Sequence, residues 1–447
     1  MAQDTLAGQL DTFLAEYESE LIEFRRDMHA HPEIGNCEHR ATSRIAQRLE
    51  SAGLRPSLLP EGTGLIADVP GGSAENVQVA LRADIDALPM PDEKRVPYRS
   101  LNSGACHACG HDVHTSVVLG TGLFLARLAD AGALPGKVRL IFQPAEEVPG
   151  GARQVIAAGG IADVPRIFAL HCDPKVDVGK IGTRIGPITA AFDKIKVELT
   201  GPGGHTARPH LTADLVFALG KIISEVPAGV SRRMDPRSGM SVVWGRVNAG
   251  TAPNVIPDRG VLEGTVRCLD DEAWHVAPDL LKDLIETVAS TYGTQAVLTY
   301  ERGNPPTVND RVCTNLIAAS AVRMLGDDAI TQAPQSLGGE DFAWYLTSIP
   351  GSLFRLGTRR PGSLDDFDIH QPTFDVDERC ISVGVKVMTA AALAGIGLEA
   401  ASDENLALSA VIAPSSGPAE HLARSGPALT GPLLGPAGHR PAGPLVR

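Results

Sequence analysis

Short apolar runs rich in Val, Ile and Leu alternate with helix-length segments along the first part of the chain, a pattern typical of an α/β domain. Gln78 to Ala83 predicts a buried strand, and Val138 to Phe142 and Arg166 to Leu170 predict two more. From Thr115 to Ala129, small residues and leucines recur at helical spacing, and Asp112 is placed to cap this helix. The pattern therefore predicts a sheet flanked by helices.

The pattern changes near Ala191, where Lys194 to Leu199 alternates charged and apolar residues as a half-exposed strand does. We expect a compact α+β unit from there to about Tyr300, inserted into the first domain. Its predicted helices and strands are Ala213 to Glu225, Met240 to Arg246, Gly260 to Cys268 and Asp270 to Tyr292.

After the insertion, the first domain resumes with a helix at Asn309 to Leu325, a strand at Ser352 to Leu356 and a long amphipathic helix at Asp377 to Ile396. The predicted organisation is a first domain built from 1–190 and 302–399, with 191–301 inserted. From about Ala400 the chain becomes rich in Ala, Gly, Pro and Ser, which predicts a disordered tail over 400–447.

Composition excludes several classes of protein. The 447 residues suffice for two or three domains, and 43% hydrophobic with 21% charged residues is ordinary for a globular chain. A net charge of -13 disfavours nucleic acid and anionic membranes as partners. No basic segment precedes an apolar run at the start, and we expect no apolar stretch of the roughly 18 residues that a membrane span needs. Seven scattered cysteines favour a reducing compartment, so the cytoplasm is expected.

The segment Gly104 to Thr115, GACHACGHDVHT, concentrates three histidines, two cysteines and an aspartate. Cys109 and His111 are two residues apart and can bind one borderline-soft divalent ion such as zinc. A redox dithiol of Cys106 and Cys109, or plain packing, are alternatives. Gly110 stands where haem attachment needs a histidine, and no second Cys pair at short spacing supports a zinc finger.

Other polar residues follow the predicted strands: Asp84, Glu146, Glu147 and His171. Ligands in open α/β sheets bind beyond the carboxyl ends of strands, so three strands converge on one predicted site. Each residue also has an ordinary explanation. Asp84 or Asp86 can serve a turn, His171 can be a buried histidine, and the two glutamates can be surface charge or a metal ligand beside a general base.

Five separated motifs, in this order, resemble the M20 metallopeptidase superfamily. They are FRRDMHAHPEIG (24–35), LRADIDALPM (81–90), HACGHDVH (107–114), QPAEE (143–147) and GGEDF (338–342). The resemblance is closest to the amidohydrolase branch, with its hippurate hydrolases, N-acyl-amino-acid aminoacylases and auxin-conjugate hydrolases, and it covers about Leu21 to Gly395. It implies a zinc-peptidase-like catalytic domain with a central mixed sheet flanked by helices, and an inserted α+β domain for dimerisation or closure.

The resemblance also implies a site for two divalent metal ions, zinc, manganese, cobalt or nickel. Cys109 would bridge the ions, with Glu147 and His370 on the first and His111 and His171 on the second. A metal-bridging hydroxide would attack the amide of an N-acyl amino acid, with Glu146 as general base that later passes the proton to the leaving amine.

In relatives, a histidine matching His205 reaches an active site across a dimer interface, which makes it a candidate donor to the oxyanion. Asn254 and Arg267 match positions that bind the substrate carboxylate. A surface turn for His205 and a strand-edge salt bridge for Arg267 are the alternatives. An outer layer that orients the ligands is expected from Asp84, Asp86, Asp112, His114, Glu340 and Asp341.

The sequence departs from the family at Cys106, where relatives more often carry Met, and oxidation to a disulfide with Cys109 would then eject metal. The expected function is hydrolysis of N-acyl amino acids by a homodimer or a dimer-based oligomer. A dipeptidase or an aminobenzoyl-glutamate-type hydrolase is the nearest alternative. A non-enzymatic metal-binding dimer and a dithiol redox protein are the others.

Overall fold

The structure is a computed structural model that describes residues 5–72, 75–363 and 367–397. The segment 400–447, with its predicted disordered tail, lies outside these residues.

Within the described ranges the chain forms nine α-helices. They are α1 Leu6–Ala30, α2 His39–Ser51, α3 His111–Asp130, α4 Gly151–Ala157, α5 Leu215–Arg233, α6 Asp271–Thr291, α7 Arg311–Leu325, α8 Ala343–Leu346 and α9 Arg379–Gly397. Aspartates begin three of them, because the side chains of Asp214, Asp270 and Asp310 accept backbone N–H groups in the first turns of α5, α6 and α7.

The same ranges contain 16 strands. They are β1 Ser57–Leu58, β2 Leu65–Val69, β3 Val77–Asp84, β4 Lys137–Gln143, β5 Ile167–Asp177, β6 Ile181–Thr183, β7 Gly186–Thr189, β8 Phe192–Thr200, β9 Gly204–His205, β10 Ser241–Ala249, β11 Val255–Ile256, β12 Arg259–Arg267, β13 Gln295–Asn304, β14 Thr307–Asn309, β15 Ile330–Gln332 and β16 Gly351–Arg359.

Eight strands form a central mixed sheet in the order β1-β2-β4-β3-β5-β16-β6-β15. Its middle strands β4, β3, β5 and β16 are parallel, whereas β2 pairs with β4, and β6 with β16, in antiparallel fashion. The carboxyl ends of the parallel strands therefore share one edge. The expected mixed sheet is confirmed.

Apolar side chains cover both faces of this sheet. One face carries the larger core, in which Leu81 packs with Val117 of α3 and Met388 of α9. The other face is covered by a smaller core that includes Phe342 and Tyr345. Strands buried on both sides explain why the sequence shows them as continuous apolar runs rather than as alternating ones.

The inserted unit is a second sheet, in the order β10-β12-β8-β13, with all neighbours antiparallel. Ile195, Val197 and Leu199 on one face of β8 pack against α5 and α6, and Lys194 and Glu198 on the other face are exposed. This half-exposed strand is the one that the alternating pattern predicts. The fold class, a catalytic α/β domain with an inserted α+β unit, is confirmed.

Two local predictions are wrong. The strand expected to end at Leu170 continues to Asp177, so His171 lies inside β5 rather than after it. Asp112 does not cap α3, because the helix already begins at His111 and its N-terminal flanking residue is Gly110. Gly110 has a φ of +91°, and a Cβ there would come within 2.7 Å of the Cys172 sulfur.

One helix in the described part of the chain, α9, is long and apolar enough to cross a membrane by length and composition alone. Its most apolar window has a mean hydropathy of 1.7, so the expectation that no stretch reaches this length is wrong. However, 67% of that window is buried in the protein, and core helices pass the same test. The helix is weak evidence for a membrane span.

Candidate functional site

Chemically active side chains collect at the carboxyl edge of the central sheet. β3 ends at Asp84 and β4 at Gln143, while the loop before α3 brings in the cysteines. A cleft of about 390 Å³ opens here, between the central sheet and the inserted unit. The residues that line it include Cys109, Glu146, Glu147, His171 and His370.

The five expected metal ligands form two groups that share one sulfur. In one group, ligand atoms of Cys109, Glu147 and His370 lie within 4.8 Å of one another, and in the other those of Cys109, His111 and His171 do. The Cys109 Sγ is 3.4 Å from His171 Nε2, and Glu147 Oε1 is 3.1 Å from His370 Nε2. One thiolate shared by two sets of nitrogen and oxygen donors suits two divalent ions.

Each buried histidine of this set has one nitrogen engaged and the other directed into the cluster. His111 Nδ1 donates to the Asp86 carbonyl at 2.9 Å, and His171 Nδ1 donates to the Cys172 carbonyl at 2.8 Å. Since a carbonyl can only accept, these bonds place the hydrogen on Nδ1 and leave Nε2 for a ligand.

The residues fit a metal because two polar atoms directed into the cluster make no hydrogen bond within the described residues, although Glu147 Oε1 lies 3.1 Å from His370 Nε2 of its own group. His111 Nε2 and Glu147 Oε1 are buried and have no hydrogen bond within the described residues. Burial raises the pKa of the Cys109 thiol well above its usual range, and Glu147 adds to the shift. Burial also lowers the pKa of His171 well below its ordinary value. Such a cluster of desolvated donors is stabilised by cations.

The QPAEE loop carries both glutamates through an unusual backbone conformation. Ala145 has a φ of +55°, and its N–H donates to the buried Glu38 carboxylate at 2.7 Å. Asp86 accepts the Glu147 N–H at 2.9 Å and also contacts His111 Nδ1 at 3.2 Å. Asp86 thus fixes one proposed ligand from each group.

Glu146 lies beside the two groups, between His111 and the GGEDF segment. Its Oε2 is 3.9 Å from His111 Nε2, and its Oε1 accepts the Asp341 N–H at 3.3 Å. Burial raises its pKa well above the usual range, and the neighbouring carboxylates of Glu340 and Glu147 raise it further. A carboxyl group beside a set of candidate metal ligands is well placed for proton transfer.

A fully buried arginine, Arg82, pairs with three carboxylates next to the cleft. Arg82 contacts Asp84 at 2.5 Å, Glu340 at 3.1 Å and Asp341 at 2.8 Å. Asp341 also accepts two hydrogen bonds from the Gln143 side chain. The three carboxylates expected in the outer layer therefore join β3 and β4 to the GGEDF segment.

His114 and Asp112 do not face the cluster as ligands. His114 Nδ1 contacts Asp84 at 2.6 Å, and its Nε2 accepts the Cys172 N–H at 2.8 Å, so neither nitrogen is left for a metal. Asp112 contacts Arg25 at 2.6 Å and His29 at 2.7 Å. Among the described residues, it therefore holds α1 against α3 rather than orienting a proposed ligand.

The inserted unit contributes one of its three expected residues to the cleft. Arg267 is half-buried in the cleft wall, where it donates to the Leu337 carbonyl and stacks 4.7 Å from the Phe192 ring centre. His205 and Asn254 are exposed beside each other at the small two-stranded sheet of β9 and β11 and do not line the cleft. Within one described chain, they are not brought to the cluster.

His370 is at the rim of the cleft, with a side chain that is 49% exposed. Its φ is +62°, and its N–H donates to the Ala108 carbonyl at 2.7 Å, one residue before Cys109. This bond ties the last predicted ligand to the loop that carries the central sulfur.

Cys106 faces a different cluster from Cys109. Its Sγ is 3.4 Å from Lys94 Nζ, near His29 and Asp92, and burial raises its pKa to about 11. Cys109 and Cys106 are both free thiols. The oxidation of this pair to a disulfide stays a prediction, and the contacts of the two sulfurs give it no support.

Sequence reasoning assigned no role to Glu38, Arg82 or Arg355. Glu38 and Arg82 lie in or beside the quoted motifs, so their position was a signal that could have been used. Arg355 lies inside a predicted strand, and nothing in its local sequence distinguishes it from a surface arginine.

Fold and site together define a metal-dependent hydrolase with a catalytic α/β domain and an inserted α+β unit. The chain belongs to the peptidase family M20/M25/M40, whose sequence profile matches residues 80–394. The family and hydrolase class expected from the motifs are confirmed.

Individual relatives agree with this assignment. The chain is 39% identical to an N-acetyl-L-cysteine deacetylase of Bacillus subtilis (strain 168) over 372 residues, 82% of this chain and 86% of that protein. It is 44% identical to a putative glutamate--cysteine ligase 2-3 of Rhodococcus jostii (strain RHA1) over 374 residues, 83% of this chain. The match spans only 46% of that longer protein.

Among solved structures, the Bacillus subtilis YXEP protein, described as a dinuclear metal binding peptidase from the M20 family, superposes with a TM-score of 0.76. Its sequence is 36% identical, and the match covers 86% of this chain and 99% of that one.

Proposed function

We propose that the protein is a dinuclear metal amidohydrolase that cleaves the amide bond of N-acyl amino acids. The observation that carries the proposal is the pair of ligand groups sharing the Cys109 sulfur, with Glu146 beside them. The relative named N-acetyl-L-cysteine deacetylase and the solved dinuclear metal binding peptidase support this choice.

In this proposal Cys109, Glu147 and His370 hold one divalent ion, and Cys109, His111 and His171 hold the other. When bound, the two ions supply Lewis acidity that polarises the amide carbonyl and acidifies water. Glu146 accepts the proton of the attacking water and returns it to the leaving amine. Its position beside both ligand groups suits both roles, because the carboxylate must reach the attacking water and then the leaving amine.

The inserted unit binds the substrate in this proposal. Arg267 faces the cleft from β12 and offers a guanidinium to the substrate carboxylate. His205 and Asn254 lie beside each other, where the Thr206 N–H donates to the Asn254 carbonyl at 3.2 Å, and neither lines the cleft. We assign both to the cleft of a second copy, where His205 stabilises the oxyanion. The homodimer, like the location in the cytoplasm, stays a prediction.

A substrate panel on metal-reconstituted protein tests this function. The panel contains N-acetyl, N-benzoyl and longer N-acyl amino acids, together with dipeptides and aminobenzoyl-glutamate, and metal content is measured in parallel by mass spectrometry. We expect two ions per subunit and the highest kcat/KM on an N-acyl amino acid. Faster cleavage of dipeptides or aminobenzoyl-glutamate would replace the proposed substrate, and loaded protein without any hydrolysis would reject the enzyme.

A further inference from the structure

The wall of the cleft holds a second guanidinium that the proposed reaction leaves unused. Arg355 is on β16, where it pairs directly with His171 of the neighbouring parallel strand β5. Its half-buried side chain lines the same cleft as Cys109 and Arg267. Arg355 therefore faces the reaction centre rather than bulk solvent alone.

This guanidinium has no protein partner within residues 5–72, 75–363 and 367–397. No carboxylate oxygen lies within 4.0 Å of it, and no acceptor hydrogen-bonds to it. Arg359, four residues further along the same strand, shows the contrast, because it contacts Asp177 at 2.6 Å. An arginine placed for structural reasons usually has such a partner, because its five donors lose water when they are partly buried.

The carboxylates of the cleft are already engaged elsewhere. Glu340 contacts Arg82 at 3.1 Å, and Glu147 contacts His370 at 3.1 Å. Glu146 accepts the Asp341 N–H. None of these groups neutralises Arg355, so its charge is available to a ligand.

The surroundings of Arg355 leave room for an anion. On the β6 side its neighbour is Gly182, and a Cβ there would come within 3.1 Å of the Arg355 Cβ, so that a larger residue would crowd this side chain. Thr189, Ser336 and Ile369, which line the same cleft, carry no charge. An anionic group that enters the cleft therefore meets no competing carboxylate on these residues.

Two guanidiniums thus face one cleft, Arg267 from the inserted unit and Arg355 from the central sheet. A single substrate carboxylate accounts for one of them. We propose that Arg355 binds a second carboxylate, so that the preferred substrates are N-acyl amino acids with two carboxylate groups. This inference rests on the proposed function. The second carboxylate belongs either to an acidic amino-acid side chain or to the far end of a dicarboxylic acyl group.

Matched substrate pairs test the inference on the metal-loaded enzyme. N-acetyl-glutamate is compared with N-acetyl-glutamine, and N-succinyl-alanine with the analogue whose terminal carboxylate is an amide. We expect kcat/KM to favour the charged member of one pair by about tenfold to a hundredfold, the usual effect of a charge-assisted hydrogen bond. The pair that shows the preference identifies the source of the carboxylate.

The Arg355→Met variant should lose this preference, so that its ratio of kcat/KM between the charged and the neutral member falls to about one, whatever its absolute rate. Arg359→Met is the control, because it removes an equal charge from the same strand outside the cleft. The inference is overturned if the wild type shows no preference in either pair, or if Arg355→Met slows both members equally.

A binding measurement separates this inference from the proposed function. Calorimetry on the metal-loaded protein compares glutarate with its monoamide, which differ only in the second carboxylate. We expect the wild type to bind glutarate about tenfold more tightly than Arg355→Met does, and the monoamide equally in both. If this holds while no N-acyl amino acid is hydrolysed, the proposed function fails and the anion site stands. Equal glutarate binding in both proteins rejects the site.

Discussion

The two sides of the cleft differ in how completely one chain builds them. On the central-sheet side, ligand atoms from four separate segments lie within 4.8 Å of their group members. On the side of the inserted unit, Arg267 reaches the cleft, whereas His205 and Asn254 do not. The first side is assembled by the fold of one subunit. In the proposed function, the second side needs either a movement of the inserted unit or another copy of the chain to bring His205 to the cleft.

Burial explains this difference. Polar groups on the central-sheet side have lost water, so each needs a protein partner or a cation, and Asp86, Cys172 and Arg82 supply such partners. His205 is solvated and needs neither. The contacts of a buried side chain therefore define its role more closely than those of an exposed one.

The largest effect is expected from removing the sulfur that the two ligand groups share. Cys109→Ala should lose nearly all bound metal and, with it, detectable turnover, because each ion loses a ligand. Metal content per subunit, measured by mass spectrometry, checks this. Cys37→Ala, at an exposed cysteine, is the control and should keep its metal. Two ions retained by Cys109→Ala would show that the groups do not depend on this sulfur.

Glu146→Gln should separate chemistry from metal binding on the same side. The amide cannot accept the proton of water, so we expect kcat to fall about 10²- to 10⁴-fold, the usual contribution of a general base. Two metals should remain, and Glu61→Gln on the surface serves as control. A near-normal rate would remove Glu146 from its assigned role, and lost metal would make it a ligand.

The variant His205→Ala tests the side of the cleft that the inserted unit forms. Loss of a donor to the oxyanion should lower kcat about 10²- to 10³-fold. If His205 acts in a second copy, mixing His205→Ala chains with Glu146→Gln chains should restore activity, because mixed dimers contain one complete site.

The neighbouring exposed His210→Ala is the control and should keep full activity. Failure of the mixture to recover, with mixed dimers verified, would place His205 in its own subunit's cleft after movement of the inserted unit.

The smallest effect concerns the support of the QPAEE loop. Burial raises the pKa of Glu38 to about 7, with a further contribution from Asp86. A carboxyl whose pKa is raised by folding stabilises the protein below its unfolded pKa, and this stabilisation is lost as pH rises through the folded value. Relative to Glu38→Gln, the metal-free wild type should therefore lose up to about 3 kcal/mol of unfolding free energy between about pH 4.5 and about pH 7.

Urea unfolding of both proteins across this pH range checks the effect, with Glu61→Gln as the exposed control. A constant difference between wild type and Glu38→Gln would mean that Glu38 keeps an ordinary pKa.

The sequence was sufficient to predict most helices and strands, because burial on one face leaves a periodic pattern and burial on both faces leaves a continuous apolar run. It was also sufficient for the candidate ligand types, since thiol, imidazole and carboxylate groups follow strands or begin a helix. It failed at β5, where the strand continues through Cys172 and Asp173 to Asp177. The prediction that Asp112 caps α3 failed because the helix begins one residue earlier, at His111, and the contacts of Asp112 with Arg25 and His29 arise only in the folded protein.

The sequence by itself determined the family, the elements and a short list of candidate ligands. Only the tertiary structure decided that His111 and His171 have a nitrogen left for metal while His114 has none. It also decided that Arg355 enters the cleft without a partner among the residues that the structure describes, while Arg359 on the same strand has one. The physical reason is that periodicity and motif spacing are local, whereas hydrogen-bond partners, such as Arg82 and Glu340, meet only after folding.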